Sequence, residues 1–218
     1  MRLHIAATNQ SAARVSALQS SLLDINEHPD RSAKVTLVPG TAAGTTDIIL
    51  DVTDRFPVHA AITYDNYASR YLGRHRYALT IEDNNLLGFD DKAYLKLQES
   101  AHSRLSLQQG RYSYPVTPAL DLGVYFLRSE TELGEEFKDL DAEGKARIYG
   151  VFASQALINE QNWDLRLNAG FDYKNIRNEL SGAQSSRDAL RVVKFGADSD
   201  SSDSWGRTIA TGELDYGL

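Results

Sequence analysis

Apolar and polar residues alternate with a period of two along most of this chain, and only its first part departs from that rhythm. From Ser11 to Glu27, Ala12, Val15, Leu18, Leu22 and Ile25 recur at spacings of three and four with Pro29 beyond them, which predicts a helix. Ala33, Val35 and Leu37 then alternate with Lys34, Thr36 and Val38, and Ile48, Leu50 and Val52 alternate with Asp47, Ile49 and Asp51, so two strands follow. A helix laid over a small sheet buries these apolar faces together. From Phe56 onward no helical period of useful length recurs. Strands are predicted near Val58 to Tyr67, His75 to Asp83, Lys92 to Ala101, Arg104 to Tyr114, Leu120 to Glu130, Ala146 to Ile158, Asp164 to Asn175, Ala189 to Asp198 and Gly206 to Tyr216. The cleanest puts Leu165, Leu167, Ala169, Phe171 and Tyr173 on one face and Arg166, Asn168, Gly170, Asp172 and Lys174 on the other. A half-buried soluble sheet would alternate in the same way.

The connections add a second rhythm. Reversals at Leu86-Leu87-Gly88, Val116-Thr117-Pro118 and Asn159 to Asn162 are compact, whereas Thr131 to Lys145 and Asn178 to Asp188 read as longer loops. Short turns on one side and long loops on the other are the outer-membrane barrel arrangement, and only the short Ala101 to Arg104 breaks the parity. Tyr64, Tyr67 and Tyr71, Tyr112 and Tyr114, and Phe171 and Tyr173 gather near run ends, as aromatic girdles do at membrane interfaces. Tyrosine also favours strands as such.

The stretch Asp65 to Asp91, DNYASRYLGRHRYALTIEDNNLLGFDD, resembles the opening of the barrel in two-partner secretion transporters, the haemolysin and haemagglutinin secretion/activation family of the bacterial outer membrane. There a pattern of the form DN.G…G..R…NLLG.GD follows a periplasmic POTRA domain. Val38 to Pro57 is similar to the segment that closes that domain, and Asn85, Leu86, Leu87 and Gly88 form the motif turn. Tyr67-Ala68 stands where a Gly follows Asp-Asn, and Phe89-Asp90 where Gly-Asp is usual.

The resemblance implies a mainly β fold, with residues 1–55 as the C-terminal part of a POTRA domain and 56–218 as the N-terminal half of an antiparallel transmembrane β-barrel. It implies an outer-membrane pore that exports a large adhesin or haemolysin-like exoprotein, with no cofactor, as a monomeric barrel when full length. Lys34, Val35, Thr36, Leu37 and Val38 would form the edge that binds the exported partner by β-augmentation. A barrel-assembly insertase of the same superfamily and a barrel hydrolase are the rival functions.

In a barrel, charge on the lipid face costs about 2–4 kcal/mol near the midplane. Arg76, Glu82, Lys96, Arg111, Asp121, Arg147, Arg166, Asp172, Lys174 and Arg191 are therefore expected to point inward, the first eight of them lining the pore, where mixed signs suit passage of an unfolded polar chain.

Composition changes this picture little. The 218 residues carry a net charge of -7, which argues against a nucleic-acid footprint. There is no cysteine, so disulfides, thiolate metal sites and cysteine nucleophiles are excluded. No apolar run approaches the roughly 20 residues of a membrane helix, and the mean hydropathy of -0.40 is compatible with a barrel, whose strands expose every second residue to water. MRLHIAATNQ lacks the features of a signal peptide, and the resemblance then implies a fragment whose export signal and first POTRA domain are missing. The five histidines, His4, His28, His59, His75 and His102, show no metal-ligand spacing, and ordinary polar strand positions outweigh a metal site at His59 and His75 with Asp65 or Glu82. Asp198 to Asp203, DSDSSD, lacks the Gly and Glu of a calcium loop and reads as a solvated turn. No nucleophile elbow or P-loop is present.

Overall fold

The structure, a computed structural model, describes residues 2–5, 21–23, 25–26, 28–42, 45–160 and 162–218. Strands β1 (Arg2–Ile5), β2 (Arg31–Pro39) and β3 (Thr46–Asp54) form a small antiparallel sheet in the order β1-β3-β2. Ala33 is its buried residue. Residues 21–23 and 25–26 are helical; the rest of the predicted Ser11 to Glu27 helix lies outside the described residues. Strand β1 has no counterpart among the sequence expectations, because four residues are too few to display a period and only pairing with β3 extends them.

All nine predicted runs beyond Phe56 are strands: β4 (Val58–Asp65), β5 (Arg76–Asp83), β6 (Lys92–Ser100), β7 (Leu105–Thr117), β8 (Leu120–Glu132), β9 (Glu143–Glu160), β10 (Trp163–Leu180), β11 (Ala183–Ser202) and β12 (Arg207–Gly217). Each pairs antiparallel with its neighbour in the chain, giving one sheet in the order β4 to β12. Such a meander uses only local connections, so the alternation of each strand fixes which face its neighbours share.

The long loops are the main correction. Asn178 to Asp188 is a hairpin: Leu180 pairs with Ala183, and the turn is made by Ser181 and Gly182 with φ of +52° and +73°, the primed-turn geometry that matches strand twist. Thr131 to Lys145 shrinks to a short 3-10 helix, Glu135–Leu140, between β8 and β9. The DSDSSD stretch continues β11 through Ser202, and the chain turns after it. Strands β9 and β10 run for 18 residues, roughly 60 Å at about 3.4 Å per residue. That is about twice a hydrocarbon core of about 30 Å.

The nine-stranded sheet has no dry centre. Among the described residues the buried hydrophobic side chains are Ala33 and Ala78 alone, while Ile62 is 83% exposed, Phe195 56% and Leu214 68%. A soluble sandwich of this size would bury such residues between two sheets. Here they cover one side of a single curved layer. Among the described residues no helix is long and apolar enough to cross a membrane.

Candidate functional site: the polar face of the wall and its junction with the small sheet

The register sorts the charged residues onto faces. Asp65 pairs with Arg76 and His59 with Glu82; Glu82 then pairs with Tyr94 and Thr80 with Lys96, and Tyr94 with Arg111. Further along, Tyr125 opposite Arg111, Asp121 opposite Ser154 and Asn168 opposite Ser154 carry the same face to Arg166 and Asp172. Eight residues expected on one face, Arg76, Glu82, Lys96, Arg111, Asp121, Arg166, Asp172 and Lys174, therefore share it. Arg147 and Arg191 do not join them, Arg191 pairing with Tyr173 on the apolar face. Tyr149 pairs with Tyr173 on the apolar face, and Arg147, two residues away, pairs with Arg128 on that same face. Arg147 lies near the far end of a strand that is longer than expected, where the outer face has left the hydrocarbon and charge there is tolerated.

The polar face is built around Asp172, which is 2% exposed. Its carboxylate accepts a hydrogen bond from the Tyr125 hydroxyl and lies 3.4 Å from Lys174 Nζ and 3.2 Å from Lys194 Nζ. Gly150 stands opposite both Asp172 and Tyr125, and a Cβ there would overlap the Tyr125 ring. The missing side chain is what lets the ring lie across β9 to reach the acid. Likewise Gly123 makes room for Phe152, over whose ring the Arg111 guanidinium sits at 4.1 Å. Beside it a groove of about 350 Å³ brings together Glu82, Arg111, Asp121 and Arg166. Lys92 joins them, so two acids and three bases around one groove mix the two signs of charge.

At the other end of these strands the small sheet is bonded to the wall. Arg31, the first residue of β2, donates from Nη1 and Nη2 to Asp90 at 3.0 and 2.9 Å and from Nε to Asp54 at 3.0 Å. The buried Asp30 accepts from Asn84 Nδ2 at 2.8 Å and meets His59 Nε2 at 2.7 Å, and His28 Nε2 meets the Asn84 carbonyl at 2.8 Å. The Asn84 amide holds the Asp30 carboxyl below its ordinary range, against the opposing effect of burial. The Arg31 guanidinium does the same for Asp90.

Asn85, Leu86, Leu87 and Gly88 form the turn within this junction. Asp91, with no exposed surface, accepts the Leu87 amide at 2.9 Å and the Phe89 amide at 3.3 Å, while Asn85 Oδ1 accepts from the Asp90 amide at 2.9 Å. Burial pushes the Asp91 carboxyl up, but those amides outweigh it and the net shift is downward. Gly88 at φ +87° and Asp90 at +58° supply the left-handed positions that the reversal needs.

His59 and His75 do not meet. His59 serves Asp30, and His75 stacks on Tyr64 with its Nδ1 2.6 Å from the hydroxyl. No metal-binding group occurs among the described residues. The opposite rim is also knitted: the Gly134 amide donates to the Tyr71 carbonyl at 2.9 Å, Arg70 pairs with Glu136 at 2.7 Å, and the Ser181 amide donates to the Leu140 carbonyl at 2.8 Å.

Lys34, Val35, Thr36, Leu37 and Val38 lie on β2, the outer strand of the small sheet. Asn26 bonds both the amide (2.7 Å) and the carbonyl (3.1 Å) of Ala33, so odd-numbered residues of β2 turn their backbone groups away from β3. Val35 and Leu37 therefore present theirs at the edge, and among the described residues no strand pairs there. Sequence reasoning missed Asp30, Asn84, Asp91, Tyr125 and Lys194, whose partners come from other strands or from backbone amides.

A meandering antiparallel wall, apolar on one side and charged on the other, joined at its short-turn end to a small sheet, defines an outer-membrane β-barrel protein with a periplasmic POTRA portion. The family model for "Haemolysin secretion/activation protein ShlB/FhaC/HecB" matches residues 44–217, and the chain belongs to that family. It is 26% identical over 163 residues to the heme/hemopexin transporter protein HuxB of Haemophilus influenzae (strain 86-028NP), a match that covers 74% of this chain and 29% of that protein. Its fold is similar to that of CdiB from Escherichia coli, with a TM-score of 0.79 and 16% identity over 92% of this chain and 39% of that one. BamA from Haemophilus ducreyi lacking POTRA domains 1-3 gives a TM-score of 0.50 at 13% identity, over 95% of this chain and 44% of that one. The chain thus spans about three-tenths of the length of the curated relatives it matches. The family is one of two-partner secretion transporters, not of enzymes.

Proposed function

We propose that the full-length protein exports one large secreted partner, of adhesin or haemolysin-like type, across the outer membrane. In this reading residues 1–55 close a POTRA domain that captures the partner in extended form, and residues 56–218 are the first half of a monomeric barrel that conducts it. The observation that carries the proposal is the mixed-charge polar face, with Glu82, Arg111, Asp121 and Arg166 around one groove and Asp172 neutralised by two lysines. Arg76, Glu82, Lys96, Arg111, Asp121, Arg166 and Asp172 would line the pore. A wall of alternating sign wets the conduit without binding either sign of a passing chain. Arg147, on the other face, takes no part.

Capture would use backbone groups of Val35 and Leu37, since an open edge bonds an extended chain with little demand on its sequence. The test is secretion of the partner encoded beside this protein. Val35→Pro or Leu37→Pro in the full-length transporter removes one edge donor, and the partner is expected to accumulate in the periplasm while the heat-modifiable mobility of the barrel stays unchanged. Undiminished secretion by both variants would overturn the capture step. Deletion of the transporter separates export from barrel assembly: loss of one exoprotein supports export, whereas general depletion of outer-membrane barrels would support the insertase.

A further inference from the structure

The apolar face carries a feature that export does not use. Toward the far ends of β8 to β11 it becomes basic: Arg128, Lys145, Arg147, Arg177, Arg187 and Arg191 all project from it. Arg128 stands directly opposite Arg147, and Arg177 directly opposite Arg187. Like charges at paired positions repel and destabilise a ladder. Three of the six cations have intramolecular partners: Arg128 with Glu130 at 2.7 Å, Lys145 with Glu143 at 2.7 Å and Glu179 at 3.9 Å, and Arg177 with Glu179 at 2.7 Å. Among the described residues Arg147, Arg187 and Arg191 form no ion pair within 4.0 Å, and Glu130 acts on Arg147 only at longer range. Glu132 and Glu143 face one another one step further from the apolar band.

The position of this patch says what could neutralise it. Lys145, Arg147, Asn175, Arg177 and Arg187 enclose a cavity of about 170 Å³ on the outer surface of the wall. Immediately below lie Phe126, Tyr149 and Tyr173, paired in one row, and below those the apolar Val124, Val151 and Phe171. The first residue of each strand beyond an aromatic girdle sits at the depth of lipid headgroups. Arg191 shares the Tyr173 row, yet the aromatic level has already dropped to Tyr216, opposite Val193, as tilted strands require.

We propose that this patch is a binding site for phosphate-bearing lipid of the outer leaflet, with a phosphate held between Arg147 and Arg187 and the acyl chains against the aromatic and aliphatic rows beneath. Guanidinium groups hold phosphate through paired, charge-assisted hydrogen bonds. A lipid supplies the missing negative charge at the Arg–Arg pairs and continues a surface that already faces hydrocarbon. The proposal rests on the outward orientation of this face and not on the exported partner, so secretion and lipid binding can fail separately.

The test uses the full-length transporter in neutral detergent, with native mass spectrometry and melting temperature as readouts. The probes are a bisphosphorylated acylated disaccharide, the same lipid without its phosphates, and inorganic phosphate. The phosphorylated lipid is expected to bind and raise the melting temperature, and Arg147→Gln/Arg187→Gln to bind it about tenfold more weakly. Arg147→Lys/Arg187→Lys, which keeps the charge but loses the paired geometry, should bind it with an affinity between the two. An unchanged urea midpoint without lipid shows that the glutamine variant folds. Equal affinity for wild type and the glutamine variant, or equal binding of the dephosphorylated lipid, would overturn the site. A melting shift given fully by inorganic phosphate alone would overturn the lipid as its occupant.

Discussion

Among the described residues two aspartates, Asp91 and Asp172, are the largest side chains with almost no exposed surface, and they are held in opposite ways. Asp91 closes the reversal between β5 and β6 by accepting amides from residues two and four positions away. Asp172 sits in the wall and depends on Tyr125, 47 residues away in sequence, and on Lys194 from the neighbouring strand. One is a local device that a contiguous motif can specify. The other exists only once four strands, β8 to β11, have found their register. The first shapes a corner; the second neutralises a charge cluster on the face that water reaches.

Breaking the wall side of this comparison should have the larger effect. Asp172→Ala leaves Lys174 and Lys194 close together with only Glu213, 4.0 Å from Lys194, to offset them. Removing one partner of a buried pair costs 3–5 kcal/mol, and because the two lysines remain 23% and 27% exposed the low end applies, about 3 kcal/mol. The urea midpoint of the full-length protein in vesicles reports it. At the corner, Asp91→Ala removes a charged acceptor from the Leu87 and Phe89 amides and should cost about 2 kcal/mol. Its signature is local, with proteolytic nicking at residues 86–89, and Asp91→Asn should restore part of the loss. Gly150→Ala tests whether the Tyr125 ring needs its groove. A Cβ there forces the ring aside and weakens its bond to Asp172, for about 1 kcal/mol.

The smallest effect is with pH. Asp30, Asp90 and Asp91 have folded-state pKa values below the ordinary 3.8. A depressed carboxyl contributes stability that is present above its unfolded value and lost as pH falls through the folded one. Hydrogen exchange of the amides at 28–31 and 84–91 should therefore be flat from neutral pH to about pH 4 and quicken below it, once corrected for intrinsic rates.

The same contrast explains what could be read in advance. Alternation placed all nine wall strands, because each has one face in a different solvent from the other. It failed at the far ends of β9, β10 and β11, where both faces meet polar surroundings and Lys145, Arg177 and Arg187 look like loop residues. Arg147 and Arg191 read as inward for the same reason: the rule that charge avoids the lipid face lapses once a strand leaves the hydrocarbon. The motif turn was legible as a contiguous string, Asn85 to Gly88. The grip of Asp30 on Asn84 and His59 was not, since those residues are separated by 54 and 29 positions and nothing in their spacing marks them as partners. Gly123 and Gly150 carry a usable signal: a glycine inside a strand marks a place where a ring from the next strand lies close.

The central claim is that β4 to β12 form a wall with hydrocarbon on one side and water on the other. The chain has no cysteine, so single cysteines along β10 of the full-length transporter in vesicles test it directly. A fluorophore at Leu167→Cys, Ala169→Cys or Phe171→Cys should be quenched by nitroxide lipid and spared by aqueous iodide. One at Arg166→Cys, Asn168→Cys or Gly170→Cys should show the reverse, alternating residue by residue. Equal quenching of both sets by either agent would contradict the account.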